Sequence, residues 1–95
     1  MLEKQIEAAV CKYAKEKGIL VYKFSSPNHI GVPDRIFFAP GGKVFLIEFK
    51  REGGKPTPMQ VREADRLATV GHMVYFVDSI NLGKTVVDRE LLQRA

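Results

Sequence analysis

Val44-Phe45-Leu46-Ile47-Glu48-Phe49-Lys50 reads as a strand whose side chains are apolar in both directions until a carboxylate interrupts them. Alternation along a strand sends Val44, Leu46, Glu48 and Lys50 to one face and Phe45, Ile47 and Phe49 to the other. A strand apolar on both faces belongs in the middle of a sheet that is covered on both sides. Burying a carboxylate at its end is costly unless a cation or hydrogen-bond donors compensate it. Lys50, two residues on and on the same side, is one candidate partner, and a bound metal is another. Glu-x-Lys on its own describes an ordinary ion pair at a strand end equally well.

The neighbouring segments supply context. Pro40-Gly41-Gly42 makes a tight hairpin turn into this strand (Lys43 to Lys50) from another, Asp34 to Ala39. Ile19 to Phe24 is a β-branched and aromatic stretch, hence a strand, and residues 25–32 (SSPNHIGV) form a loop rich in turn residues. Upstream, Leu2, Ile6, Ala9, Val10, Tyr13 and Ala14 recur at helical spacing over residues 2–17, and Gly18 ends the run. Downstream, residues 51–56 (REGGKP) are a mobile basic loop. Thr57 is an N-cap with Pro58 at the first helical position, and Val61, Ala64, Leu67 and Ala68 supply that helix with a buried face before Gly71 closes it. Met73 to Val77 is a fourth strand, and a short helix covers Val87 to Arg94. The expected fold is α/β, in the order α-β-β-β-α-β-α, with a mixed sheet flanked by helices.

The 95 residues fit one domain, residues 1–95, with 45% hydrophobic and 27% charged residues as in a soluble globular chain. A domain this small buries a limited share of its surface, and a homo-oligomer would relieve that limit. A net charge of +4 favours polyanionic partners. Cys11, the lone cysteine, excludes an internal disulfide or a cysteine-rich zinc site and is expected on the helix side away from the apolar stripe, as a reduced thiol. No apolar run reaches the length of a membrane span, and the first residues lack a signal-peptide layout, so an intracellular protein is expected.

The hairpin brings the start of the second strand beside the end of the third, and so Asp34 near Glu48. Two converging carboxylates with a lysine nearby suit a hard divalent cation, magnesium above all, which keeps several of its waters and needs few protein ligands. The backbone carbonyl of Phe49 could supply another donor. Such a group meets the needs of phosphodiester hydrolysis: a cation to activate water and neutralise phosphate charge, and Lys50 to orient the attacking water or stabilise the transition state.

Three ordered blocks, Gly31-Val32-Pro33-Asp34, Ile47-Glu48-Phe49-Lys50 and Gly53-Gly54-Lys55-Pro56-Thr57-Pro58-Met59-Gln60, resemble the stand-alone VRR-NUC domain of the PD-(D/E)XK nuclease superfamily. The resemblance runs from the first helix through the fourth strand. It implies a restriction-endonuclease-like core and a Mg²⁺-dependent deoxyribonuclease, with Mn²⁺ able to substitute. It further implies homodimers that act on branched DNA such as four-way (Holliday) junctions, in a bacterial cytoplasm or a phage-infected cell, with no membrane and no small-molecule cofactor. Carried over residue by residue, it makes Asp34 and Glu48 metal ligands, Lys50 the catalytic lysine and Gln60 an active-site glutamine. Thr57-x-x-Gln60 is also a capping box, so Gln60 has two candidate roles, one without metal and the other with it. The family also has a glutamate in the first helix near the metal. Glu3 lies nearer the centre of the apolar stripe than Glu7 and is the better candidate, against a solvated first-turn glutamate.

Ser25, Ser26, Asn28 and His29 in the loop before Asp34, and Arg51 and Lys55 after the third strand, are candidate DNA contacts. Lys4, Lys12, Lys15 and Lys17 read as solvation of the first helix. Three other readings fit the same residues: a catalytically silent DNA-binding module, a restriction-type duplex nuclease, and a small interaction protein in which Glu48 and Lys50 form a structural pair.

Overall fold

A three-residue 3₁₀ turn, Pro40–Gly42, joins the two central strands, and Gly41 and Gly42 both take positive φ there (85° and 82°), a region costly for any side chain. In this computed structural model, which describes residues 1–93, the chain runs α1 (Glu3–Glu16), β1 (Leu20–Lys23), β2 (Arg35–Ala39), β3 (Lys43–Phe49), α2 (Pro58–Thr69), β4 (Met73–Val77) and α3 (Ile80–Leu92). The order is the expected α-β-β-β-α-β-α. The sheet runs β1-β2-β3-β4, antiparallel across the first three strands and parallel between β3 and β4, where α2 is the crossover. Among the described residues no helix is long and apolar enough to cross a membrane.

One face of the sheet carries the core. Phe37 and Phe45 stack with ring centroids 4.8 Å apart, and Ile47, Phe49 and Val77 continue the layer. Ile6, Val10 and Ala14 of α1 and Val86 and Val87 of α3 cover it. The two helices cross closely because α3 presents Gly83 to Val10; a Cβ on Gly83 would lie 2.2 Å from a Val10 methyl. On the other face α2 packs against β4, and β3 is buried from Phe45 to Phe49. Toward the β1 edge that face is open, leaving Leu20, Tyr22 and Phe38 exposed.

Four expectations need correction. The last helix begins at Ile80, not Val87, with Ser79 as its N-cap accepting the Leu82 N–H at 3.0 Å. Gly83, inside this helix, serves the close crossing with α1, and Arg94 lies outside the described residues. Cys11 is buried (5% exposed) in the core, because α1 turns its Val10–Cys11 side toward the sheet. Leu2, at the start of the α1 stripe, is exposed. Finally, α2 does not bury Val61 and Ala68. Its inward stripe is Gln60, Glu63, Ala64 and Leu67, spaced i, i+3, i+4 and i+7, with Glu63 the most buried. Two polar residues hold the positions that apolarity alone assigns to others.

Candidate active site

Asp34 stands one step beyond the end of β2. The β1–β2 ladder continues through it, since the Phe24 N–H donates to the Asp34 carbonyl at 2.9 Å. The β2–β3 pairing ends at Arg35 opposite Ile47, and one more step of that antiparallel register sets Asp34 opposite Glu48. Directly opposed residues share a face, with Cβ atoms about 5 Å apart. The Asp34 side chain is fixed by its neighbour strand: Oδ2 accepts the Phe49 N–H at 2.8 Å.

Glu48 is 5% exposed and flanked by two nitrogen groups. The Lys50 ammonium lies 3.6 Å from its Oε2, and the Gln60 amide donates to the same oxygen at 2.9 Å. Lys50 is itself held by its backbone N–H, which donates to the Val77 carbonyl at 2.8 Å. Burial first, and then the charge of Asp34, push the Glu48 carboxyl up to about 7 against the opposing pull of Lys50, with Glu3 adding a further push. Asp34 is also raised, by burial first, while the Phe49 N–H, Lys50 and Arg35 pull it down and Glu7 pushes it up.

Gln60 makes two sets of contacts at once. Its Oε1 accepts the Thr57 N–H at 2.9 Å and its own N–H donates to the Thr57 hydroxyl at 3.2 Å, completing the capping box. The other end of the same amide holds Glu48.

The two first-helix glutamates also separate. Glu7 is committed to Arg35, whose Nε donates to Glu7 Oε2 at 2.6 Å. Glu3 makes no side-chain hydrogen bond or ion pair among the described residues, yet lies close enough for its charge to act on Glu48. Ser25 and Ser26 sit in the loop as expected, the latter accepting the His29 N–H through its carbonyl at 3.0 Å. The His29 ring is engaged with Glu63 of α2, Nε2 to Oε1 at 2.5 Å. Arg51 and Lys55 are exposed, the Arg51 guanidinium donating to the Glu52 carbonyl at 3.2 Å. Sequence reading passes over Glu63 and Arg35; for Glu63 the i, i+3 spacing from Gln60 is the available signal, and for Arg35 there is none.

The donor set fits a hard cation. No hydrogen bond among the described residues ends on Asp34 Oδ1 or Glu48 Oε1, so each carboxylate keeps one oxygen available. Burial first, and then the charge of Asp34, raise the Glu48 carboxyl, and Lys50 does not fully offset them. Among the described residues no three His, Cys, Asp or Glu side chains gather as a ready-made cluster. Two carboxylate oxygens without hydrogen bonds among the described residues are donors of the kind a hard divalent cation takes.

No family model matches the chain. A curated relative, described as "Putative nuclease p44" of Acyrthosiphon pisum secondary endosymbiont phage 1, is 44% identical over 80 residues, 84% of this chain and 86% of the relative. A solved structure described as a VRR_NUC domain superposes with a TM-score of 0.84 at 29% identity, covering 90% of this chain and 94% of its own. A second, described as a VRR_NUC domain protein, has a TM-score of 0.76 over 96% of this chain and 88% of its own; at 17% identity it speaks for the fold alone. With the sheet order, the helix order and the phage relative in agreement, the chain belongs to the VRR-NUC family of nuclease domains.

Proposed function

We propose that residues 1–95 act as one nuclease domain, a Mg²⁺-dependent, structure-specific DNA endonuclease that hydrolyses phosphodiester bonds of branched DNA such as four-way junctions. The observation that carries this is the pairing of Asp34 with Glu48 across β2 and β3, with Lys50 and Gln60 both on Glu48 Oε2. Asp34 and Glu48 would hold the cation, with the Phe49 carbonyl and Glu3 as further candidate donors. When bound, the cation supplies an activated water and charge neutralisation at the phosphate. The chain's own groups do the rest. Lys50 sets an ammonium beside the carboxylates, where it can orient the attacking water or offset charge growing on the phosphate oxygens. Gln60 fixes the rotamer of Glu48, and the Phe49 N–H fixes that of Asp34. Mn²⁺, with the same preference for oxygen donors, would substitute.

The exposed Leu20, Tyr22 and Phe38 on the open half of the sheet favour a homodimer, which would present two equivalent sites to a branched substrate. An intracellular setting, bacterial or phage-infected, goes with that substrate.

The test is cleavage of a synthetic four-way junction beside a linear duplex of equal length, with Mg²⁺, with Mn²⁺ and with EDTA. Metal-dependent cutting of the junction is expected, and Glu48→Ala should abolish it. Equal cutting by wild type and Glu48→Ala removes the assigned site; DNA binding without cutting in either metal favours a silent binding module. Preferred cutting of linear duplex at one sequence favours a restriction-type enzyme.

A further inference from the structure

Between the loop of residues 25–33 and α2 lies a cavity of about 230 Å³ lined by Asn28, His29, Ile30, Met59, Arg62 and Arg66, with the Glu63 carboxylate among its walls. Nothing in the reaction chemistry described above uses it. Its walls are tied to the candidate active site on both sides. The loop leads directly into Pro33 and Asp34. It is pressed onto α2 at Gly31, where a Cβ would come within 2.9 Å of the Met59 carbonyl oxygen. On α2, Glu63 is one turn beyond Gln60, the residue that holds Glu48.

The charges of this cavity are arranged in favour of an anion. Glu63 is 7% exposed and carries two partners, His29 at 2.5 Å and the Arg66 Nε at 3.6 Å. Its charge is thereby spent within the wall, and it braces both groups. Arg66 contributes only Nε to that pair, and its terminal nitrogens make no hydrogen bond among the described residues. Arg62, four residues earlier and so on the same side of the helix, has no carboxylate within ion-pair distance among the described residues. Two guanidiniums against one carboxylate leave the cluster positive before His29 is considered. Ile30 and Met59, both exposed, give the same cavity an apolar edge of the kind a sugar can lie against.

We propose that this cavity seats a backbone phosphate of the substrate strand, gripped by Arg62 and Arg66 and placed one to a few nucleotides from the bond that is cut. By helix rise Arg62 and Arg66 lie about 3 and 9 Å beyond Gln60 along α2, and both are turned more than about 90° around the axis from it, which sets the seat up to a helix diameter, about 10 Å, to the side of the active site. A DNA strand advances about 3.4 Å per nucleotide along a duplex. The seat would thus set the strand's register on the active site without touching the reacting atoms, making both arginines positioning residues. The proposal rests on the nuclease reading.

The experiment measures binding of a fluorescein-labelled four-way junction by anisotropy in EDTA, where no cutting occurs, across a range of salt concentrations. Each phosphate contact contributes about 0.9 to the slope of log K against log salt on duplex DNA. Arg62→Ala/Arg66→Ala, which empties the seat of its one phosphate, should therefore make the slope shallower by about 0.9. Lys12→Ala/Lys15→Ala, which removes the same charge from α1, should change it by less than half as much. Arg62→Lys/Arg66→Lys should restore most of the slope. In Mg²⁺ the double alanine variant should raise KM and spread the cut over neighbouring phosphodiesters, as sequencing-gel mapping of the products would show. An unchanged slope, a loss equal to that of the α1 control, or wild type that does not bind the junction in EDTA would each overturn the proposal. Failure of the nuclease reading shows separately, as absent metal-dependent cleavage or an active Glu48→Ala protein.

Discussion

Glu48→Gln isolates the energetic consequence of burying a carboxylate beside Asp34. In the metal-free protein Glu48 titrates at about 7, against 4.5 for an ordinary glutamate, with burial the main cause and Asp34 next. A raised acid contributes stability that is fully present below the unfolded value and is lost as pH rises through the folded one. Between about pH 4.5 and 7 the unfolded chain ionises this residue while the folded chain keeps its proton, so folding stability falls by about 1.4 kcal/mol per pH unit. The accumulated loss by pH 8 is about 3 kcal/mol, against about 5–15 kcal/mol for a whole domain. For a chain of this size each kcal/mol moves the midpoint by about 4–8 °C, so the shift is on the order of 12–24 °C. Asp34, also raised, adds a change of the same sign. The assay is urea unfolding in EDTA from pH 5 to 8.5, for wild type and Glu48→Gln. The glutamine retains an oxygen for Gln60 and has no proton to lose, so the difference between the two proteins reports this one group. Mg²⁺ should flatten the wild-type profile and release protons as it binds near pH 6, because a cation selects the ionised carboxylate. Parallel profiles for the two proteins in EDTA would refute the reasoning.

Gln60→Glu keeps a capping side chain on Thr57 but replaces the donor to Glu48 with another carboxylate; cleavage should fall with the stability of α2 little changed, as activity and urea unfolding would show. Gln60→Ala should lose both, with about 0.5–1 kcal/mol of stability gone along with the cap. Gly83→Ala should destabilise despite a helix-propensity gain of about 1 kcal/mol, because overpacking against Val10 costs about 1–3 kcal/mol, and Val10→Ala in the same chain should relieve part of it. Urea denaturation of the two single variants and the double variant gives that coupling directly. Cys11→Ser should cost about 1–3 kcal/mol in the same assay by burying a hydroxyl, whereas a cysteine on the solvated side of α1 would tolerate the change.

What the sequence disclosed follows from which signals are local. The β2–β3 hairpin is encoded by Pro40-Gly41-Gly42, and the period-2 pattern of residues 44–50 names the central strand, so the meeting of Asp34 and Glu48 followed from register alone. The start of α2 was equally legible, because Thr57-Pro58 and Gln60 carry its cap in their chemistry. The misreadings all concern contacts that only tertiary packing creates. Gly83, inside α3, allows that helix to approach Val10 in space. Cys11 is inside because α1 is covered by the sheet on one flank and by α3 on another, an arc wider than its apolar stripe. On α2, Val61 and Ala68 suggested an inward face, yet Gln60 and Glu63 occupy it, since that helix shields charged groups at the end of the sheet as well as apolar ones.

The division of labour between the two sheet faces gives Glu48 its meaning. The face under α1 and α3 is packed almost entirely with apolar side chains and supplies most of the burial that holds a chain of this size together. The other face carries the Lys50–Glu48 pair, the Glu63 cluster and the uncovered Leu20, Tyr22 and Phe38, and it is where the Asp34–Glu48 acid pair lowers stability. A sequence under pressure for folding alone would not keep a glutamate at the end of β3: a glutamine there fits the same hydrogen bond from Gln60 and removes a penalty of about 3 kcal/mol at pH 8. Glu48→Gln protein should therefore be the more stable of the two without metal and the inactive one with it. A residue that destabilises the free protein and is relieved by a cation ties folding stability to cation binding. If Glu48→Gln were instead less stable than wild type at pH 8 in EDTA, Glu48 would be a structural partner of Lys50 and nothing more.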